Sequence, residues 1–408
     1  MTEALSLATP RRAALVFIFV TVLLDMLALG MVIPVLPKLV ESFLGGDTAR
    51  AATVFGLFAT AWALMQFLFS PVLGALSDRF GRRPVILLSN FGMGLDYVLM
   101  AVAPTLGWLF VGRVISGITA ASVSTGFAYI ADVTPAEKRA AGFSMIGAAF
   151  GLGFILGPAI GGLLGSIGPR MPFWCAAALS LVNAAYGYFV LPESLGPERR
   201  STFAWRRANP IGSLELLRSH PELAGISMAN FVANVAHAVL PSTFVLYAGY
   251  RYGWDETAVG LTLAGVGACS LVVQLAVVGR FVAHFGERIA LLTGLVCGAG
   301  GLFIFGWAPT GALFCIGIPV MALWGLANPA AQGLMTRRVG PSEQGELQGA
   351  NSSIMGVAAL VGPGLFTQTF AFAIGAARSW NAPGAPFLLA GLLLTAGALV
   401  AWRATRPR

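Results

Sequence analysis

Gly74-Ala-Leu-Ser-Asp78-Arg79-Phe-Gly81-Arg82-Arg83-Pro84 joins two apolar runs, each long enough to cross a membrane. Four charged residues and two glycines are packed into a connection too short to be a domain. Such a connection must turn sharply, stay out of hydrocarbon and meet something of opposite charge. It reads as a moving part at a membrane surface rather than a passive link.

The flanking chain supports that reading. Of 408 residues, 57% are hydrophobic and 10% charged, with a mean hydropathy of +0.80; ordinary soluble domains carry about 25% charged residues. A protein core alone cannot absorb this excess, so lipid is the expected solvent. A spanning helix takes about 20 apolar residues. The chain divides into twelve such runs, at 13–37, 52–72, 85–103, 106–128, 142–165, 172–191, 222–249, 258–279, 289–307, 311–334, 347–374 and 384–402. The 51 glycines and 23 prolines fit this class, both being commoner in membrane helices than in soluble ones. The expected fold class is an all-α membrane protein of twelve transmembrane helices in two six-helix bundles.

A net charge of +8 raises the question of nucleic acid, and the distribution of charge answers it. Alternate connections and the two ends hold 19 of the 25 Lys and Arg, the opposite connections five (Lys38, Arg50, Arg170, Arg251, Arg378), and Arg113 lies inside a run. This is the positive-inside bias, which places both termini in the cytoplasm. No nucleic-acid partner is expected. Cys175, Cys269, Cys297 and Cys315 all fall in apolar runs without paired or metal-type spacing, and read as small apolar side chains. The first run is too long for a signal-peptide core, so no cleavable signal is expected.

The two halves repeat. Val259-Gly-Leu echoes Phe55-Gly-Leu at an offset of 204, Gly279 to Arg288 is a worn copy of 74–83 at 205, Pro341-x-Glu343 echoes Pro135-x-Glu137 at 206, and Gly362-Pro363 echoes Gly157-Pro158 at 205. Near-constant offsets imply two bundles in parallel repeat, 1–191 and 222–408, with a proline- and arginine-rich linker at 192–221. Parallel repeats with a site near the midplane are a transporter architecture.

The chain resembles the major facilitator superfamily over its whole length. Residues 74–84 resemble its signature between spans two and three, Arg113 in Val111-Gly-Arg-Val-Ile-Ser-Gly matches the fourth-span arginine of its drug antiporters, and Gly147 to Gly162 resembles the fifth-span motif of exporters. Within that group it is most similar to tetracycline/proton antiporters: Asp25 with Ile33-Pro34-Val-Leu-Pro37, Leu95-Asp96-Tyr97 and Gln66 resemble their first, third and second spans. Those antiporters often carry a histidine in span eight and an aspartate in span nine, where this chain has Ser270 and Gly298. The resemblance implies export of an amphiphilic, tetracycline-like drug in exchange for protons across an inner membrane.

Within that frame, particular residues stand out. Asp78 and Arg82 are opposite charges four residues apart, and Asp132 near the end of span four is a second anionic partner. With Gly74, Arg79, Gly81 and Arg83 they form a candidate cytoplasmic gate, against a plain surface salt bridge worth about 0–1 kcal/mol. Asp25 and Asp96 are the acidic residues well inside spans, a placement costing at least about 2.5–3.5 kcal/mol. A carboxyl removed from water holds its proton more tightly, so either can carry one; fixed polar contacts between helices, or binding of a substrate amine, are the alternatives. Arg113 must face a cavity or a partner at that depth, and its charge can act on Asp25 and set proton affinity, or lock the bundle as a permanent pair.

Gly153, Gly157 and Gly161 form a small-residue face that lets helices approach closely, expected to meet a helix of the other half; Gly147 and Gly151 repeat the spacing, and Pro158 can bend the helix there. Asn230, Asn234 and His237 make one polar stripe at i, i+4 and i+7, able to contact a polar drug or to glue helices together. Gln66, Gln274, Asn328, Gln332 and Asn351 are further candidate contacts. His220 and His284 read as solvated loop residues. No P-loop and no catalytic constellation is found, so energy must come from an ion or substrate gradient, and neither cofactor nor metal is expected. The reading is a monomeric secondary exporter and not an enzyme. An exporter of an endogenous metabolite or siderophore, a facilitator without proton coupling, and a non-transporting sensor are its rivals.

Overall fold

The computed structural model describes residues 8–120, 122–135, 139–200, 221–340 and 343–406. Among these every regular element is helical: α1 (Ala8–Val32), α2 (Leu36–Phe43), α3 (Thr48–Phe80), α4 (Arg82–Val102), α5 (Leu106–Thr119), α6 (Ser122–Val133), α7 (Arg139–Ile167), α8 (Met171–Val190), α9 (Pro221–His237), α10 (Val239–Tyr252), α11 (Glu256–Val272), α12 (Val278–Trp307), α13 (Gly311–Ala322), α14 (Ala327–Thr336), α15 (Gln344–Ile374) and α16 (Ala385–Ala404). Among the described residues, ten helical stretches are long and apolar enough to cross a membrane. One of them, Glu256–Trp307, is long enough for two crossings, and the apolar α5 with α6 has the length of another, which agrees with the expected twelve. Large apolar side chains face outward along these spans, among them Leu88 (66% exposed), Leu275 (76%) and Leu392 (60%). Water would oppose such a surface, whereas lipid accepts it.

The opening stretch differs from an open loop. Helix α3 runs on to Phe80 and α4 starts at Arg82, so the turn is the single residue Gly81, at φ +108°. Gly286, 205 residues later, breaks α12 in the same way at φ +80° and ψ 165°. Only glycine enters this region without strain, which is why the repeat keeps its glycines while its charges wear away. His284, expected in a loop, is an exposed residue on the helical turn before this break.

By packing, the chain forms two compact units. The first comprises Met1–Leu36, Ala61–Asn209 and Glu256–Ala264; the second comprises Pro37–Thr60, Pro210–Asp255 and Gly265–Arg408. Most of the expected linker, 201–220 with His220, and the echoes at Glu137 and Pro341 lie outside the described residues. The core of the first unit joins Phe17, Ile18, Val22 and Met26 of α1 to Ile86, Tyr129, Ile130 and Ile146. The second is centred on rings: Phe305 stacks on Phe314 at 4.0 Å, and the Tyr247 hydroxyl donates to the Phe305 carbonyl at 3.0 Å.

The glycine face of α7 meets a different partner from the one expected. Gly153, Gly157 and Gly161 pack on α1 of their own unit, against Met26, Gly30 and Met31. A Cβ on Gly157 would lie 2.7 Å from Gly30 Cα, and one on Gly161 would lie 2.6 Å from Met31 Cα. The helices touch backbone to backbone there, and the apolar periodicity of α1 gave no sign of it. Gly162, one position round, faces Glu256 and Gly260, in the segment that belongs to this unit. Gly147 has no neighbour within 4 Å, Gly151 is half-buried, and Pro158 sits inside an otherwise continuous α7.

Replacing Gly161 by Leu is therefore expected to cost about 1–3 kcal/mol through overpacking, lowering the thermal midpoint of the purified protein. Gly147→Ala is expected not to lower it, since an alanine there meets nothing and suits a helix interior better than glycine, and equal losses from both would refute this packing.

Candidate functional site

Two polar clusters lie in the first unit. One sits at the Gly81 turn. The buried Arg82 guanidinium meets Asp78 Oδ1 at 2.5 Å, Asp132 Oδ2 at 3.0 Å and Ser77 Oγ at 2.6 Å. Both acidic partners expected from the sequence are thus in place, joined by Ser77. The backbone around them is held by Glu193, from the segment after α8. Its Oε1 accepts from the amides of Arg82 (2.8 Å), Ser194 (3.0 Å) and Leu195 (3.1 Å), and its Oε2 from that of Arg83 (3.3 Å). A carboxylate at the start of α4 satisfies unpaired amides and complements the helix dipole. Ser194 Oγ donates to Asp132 Oδ2 at 3.1 Å, which closes the ring. Gly81 has a second reason to lack a side chain, because a Cβ there would lie 2.7 Å from Glu193 Cδ.

The remaining gate positions are peripheral. Arg83 donates to the Tyr188 carbonyl at 2.5 Å, Arg79 lies 5.0 Å from the centre of the Phe80 ring, and Gly74 accepts through its carbonyl from Ser77 Oγ at 2.8 Å. Glu193 and Ser194 escaped the sequence reading because a span separates them from their partners. The one available signal was an acidic residue beside Pro192 at a helix end.

The second cluster is buried among the spans. Asp25 on α1 is 2% exposed and its Oδ1 accepts from Asn183 Nδ2 of α8 at 2.9 Å; the same amide donates to the Thr21 carbonyl at 3.0 Å. Asp96 on α4 is 1% exposed, and neither of its oxygens meets a hydrogen bond of regular geometry. Its polar neighbours are Arg113 and Ser116 of α5. The Asp96 carboxyl rests over Gly112, where a Cβ would come within 2.9 Å of Oδ1. Arg113, 8% exposed, stacks its guanidinium 5.4 Å from the Trp62 ring centre, and its Nε has no partner. Asp96 and Tyr97 are the groups that act most on Arg113, so its foremost partner differs from the Asp25 expected. Tyr97 is fully buried with an unpartnered hydroxyl, within electrostatic reach of Asp96, Arg113 and Asp25. Asn183 was missed because a single asparagine in an apolar run carries no motif.

In the second unit the polar stripe is partly tied up. Asn234 Nδ2 donates to the Asn230 carbonyl (2.8 Å) and side-chain oxygen (3.1 Å), and Asn351 Nδ2 donates to Gln332 Oε1 at 2.8 Å. His237 ends α9 and meets the Trp324 ring edge to face at 5.6 Å. Gln274 is exposed in a π-helical turn, Val273–Val277, and Asn328 is exposed at the start of α14. Gln66 of the first unit is half-buried on α3. At Gly298 the room is taken: a Cβ would lie 2.8 Å from both Trp324 Cγ and Leu394 Cδ2. An aspartate cannot be placed there without moving the tryptophan. Among the described residues, no group of three His, Cys, Asp or Glu could hold a metal ion.

The sequence model of the Major Facilitator Superfamily matches residues 18–363 and 226–408. The chain is 37% identical over 368 residues to the class C tetracycline resistance protein of Escherichia coli, covering 90% of this chain and 91% of that one. It is 26% identical over 378 residues to multidrug resistance protein 2 of Bacillus subtilis (strain 168), covering 91% and 90%. The crystal structure of the nucleoside transporter NupG superposes with a TM-score of 0.79 at 13% identity, over 97% of this chain and all (100%) of that one, a likeness of fold alone.

If Glu193 caps α4, Glu193→Ala will destabilise the protein by about 1–2 kcal/mol, the usual cost of a lost N-terminal cap. A lowered thermal midpoint in purified Glu193→Ala is the expected result; an unchanged midpoint would count against the cap.

Proposed function

The chain belongs to the Major Facilitator Superfamily, and from that premise we propose that it exports an amphiphilic, tetracycline-like drug in exchange for protons. Transport proceeds by alternating access across an inner membrane, with both termini in the cytoplasm and the protein acting as a monomer. It performs no covalent chemistry and uses no cofactor. Full-length likeness to tetracycline and multidrug resistance proteins supports the class of substrate. The observation that carries proton coupling is Asp96: a buried carboxyl without a regular hydrogen bond, beside a buried arginine. A purely structural aspartate would be expected to have its oxygens satisfied.

In this cycle the ionised form of Asp96, beside Arg113, or of Asp25, bonded to Asn183, favours drug binding from the cytoplasm. Protonation from outside cancels that charge and releases the drug; the returning carrier then discharges its proton inward. The Arg82 ring at the cytoplasmic end acts as the latch of one conformation, because acceptors on two helices, Ser77 and Asp78 of α3 and Asp132 of α6, can release one guanidinium together. A bistable contact of this kind turns a local event into a global switch.

Inverted vesicles with an acidic lumen are expected to accumulate tetracycline when they carry the wild-type chain. Asp96→Asn is expected to lower this gradient-driven uptake by at least about tenfold, a change worth about 1.4 kcal/mol, and Asp25→Asn to lower it less. Uptake that ignores the gradient in all three proteins would overturn the antiport and favour a facilitator. Gradient-driven uptake of other amphiphiles with none of tetracycline would keep the antiport and replace the drug by a metabolite.

A further inference from the structure

A cavity of about 430 Å³ opens in the second unit where α10 and α15 end, with Tyr250 and Arg251 on one side and Ile374, Arg378, Asn381 and Pro383 on the other. Its size falls within the ~300–1,000 Å³ of ligand sites. Two guanidinium groups share it, and no carboxylate lines it. Among the described residues neither arginine forms an ion pair, whereas elsewhere on the minority-charge side Lys38 is paired with Glu41 at 3.0 Å and Arg170 donates to the carbonyls of Ala101 and Ala103, both at 2.8 Å. Two like charges around one cavity repel unless an anion lies between them. A planar guanidinium is well suited to bidentate contacts with phosphate oxygens.

The surroundings favour a lipid over a dissolved ion. Trp380 (73% exposed) and Phe372 (53%) meet edge to face at 5.9 Å beside this site. Exposed tryptophan at the end of a span marks the headgroup level of a bilayer. Ala373 and Ile374 give the cavity an apolar wall beside its arginines. The left-handed backbone of Asn381 (φ +46°), uncommon outside glycine, shapes the short turn that carries Arg378 and its own side chain to the rim.

We propose that Arg251, Arg378 and Asn381 form a binding site for the phosphodiester headgroup of an anionic lipid. The site is separate from the buried carboxyls and from the Arg82 ring, and it needs no drug. It would anchor the ends of α10 and α15 to the headgroup layer.

Native mass spectrometry of the purified full-length chain, exchanged from vesicles of phosphatidylethanolamine with phosphatidylglycerol, tests this. Wild type is expected to retain phosphatidylglycerol, and occupancy is expected to fall about tenfold in Arg251→Gln/Arg378→Gln, as for loss of a charge-assisted hydrogen bond. Arg378→Lys, which keeps the charge, is expected to retain most of the lipid and guards against a folding defect, as does an unchanged thermal midpoint. Equal phosphatidylglycerol in wild type and the double variant would overturn the proposal. So would displacement of the lipid by millimolar inorganic phosphate, which would assign the same arginines to a soluble anion.

Discussion

Hydrocarbon offers no hydrogen bond and screens no charge, so every ionised group among the spans must be answered by another part of the same chain. This constraint organises the first unit. Asp25 is answered by an amide on α8, Asp96 by a guanidinium on α5, and Arg113 in turn by the face of Trp62 on α3. Five spans are thereby held, α1 to α8 and α4 to α5 and α3, through polar groups that would be expensive to separate. The glycine seam between α1 and α7 serves the same end: it brings the backbone carrying Asp25 into direct contact with its neighbour.

The two clusters of that unit differ in how completely they are satisfied. Around Arg82 nearly every donor has an acceptor, and Glu193 alone collects four backbone amides. Such a network is stable in one arrangement and gives way as a whole. Around Asp96 the carboxyl oxygens, the Tyr97 hydroxyl and Arg113 Nε are left without regular hydrogen bonds. Incomplete satisfaction costs energy in a resting protein, and the proposed function accounts for it, since a group that must gain and lose a proton cannot be locked by permanent partners.

The residues readable from the sequence were those whose meaning is local. Gly81 and Gly286 announce turns, Asp78 and Arg82 stand one helical turn apart, and the length of the apolar runs counts the spans. Charges inside those runs were conspicuous by cost alone, which singled out Asp25, Asp96 and Arg113. What stayed hidden depends on neighbours distant in the chain. Glu193 meets Arg82 across 111 residues and Asn183 meets Asp25 across 158, and neither carries a pattern of its own. The partner of the Gly157 face was misjudged for the same reason: a stripe of small residues shows that a helix will come close, and not which one. The departure at Gly298 also became intelligible only in three dimensions, where the bulk of Trp324 occupies the space.

The central claim is that one buried carboxyl is exchanged between proton and drug, and the most direct test follows the proton. Purified chain in liposomes with a trapped pH dye would be given an inward tetracycline gradient and no imposed pH gradient, against protein-free liposomes. The account predicts that entry of drug drives protons out, so that the lumen turns alkaline beyond the control, and that Asp96→Asn abolishes the excess. Drug entry catalysed by the protein with no excess change in lumenal pH would contradict it.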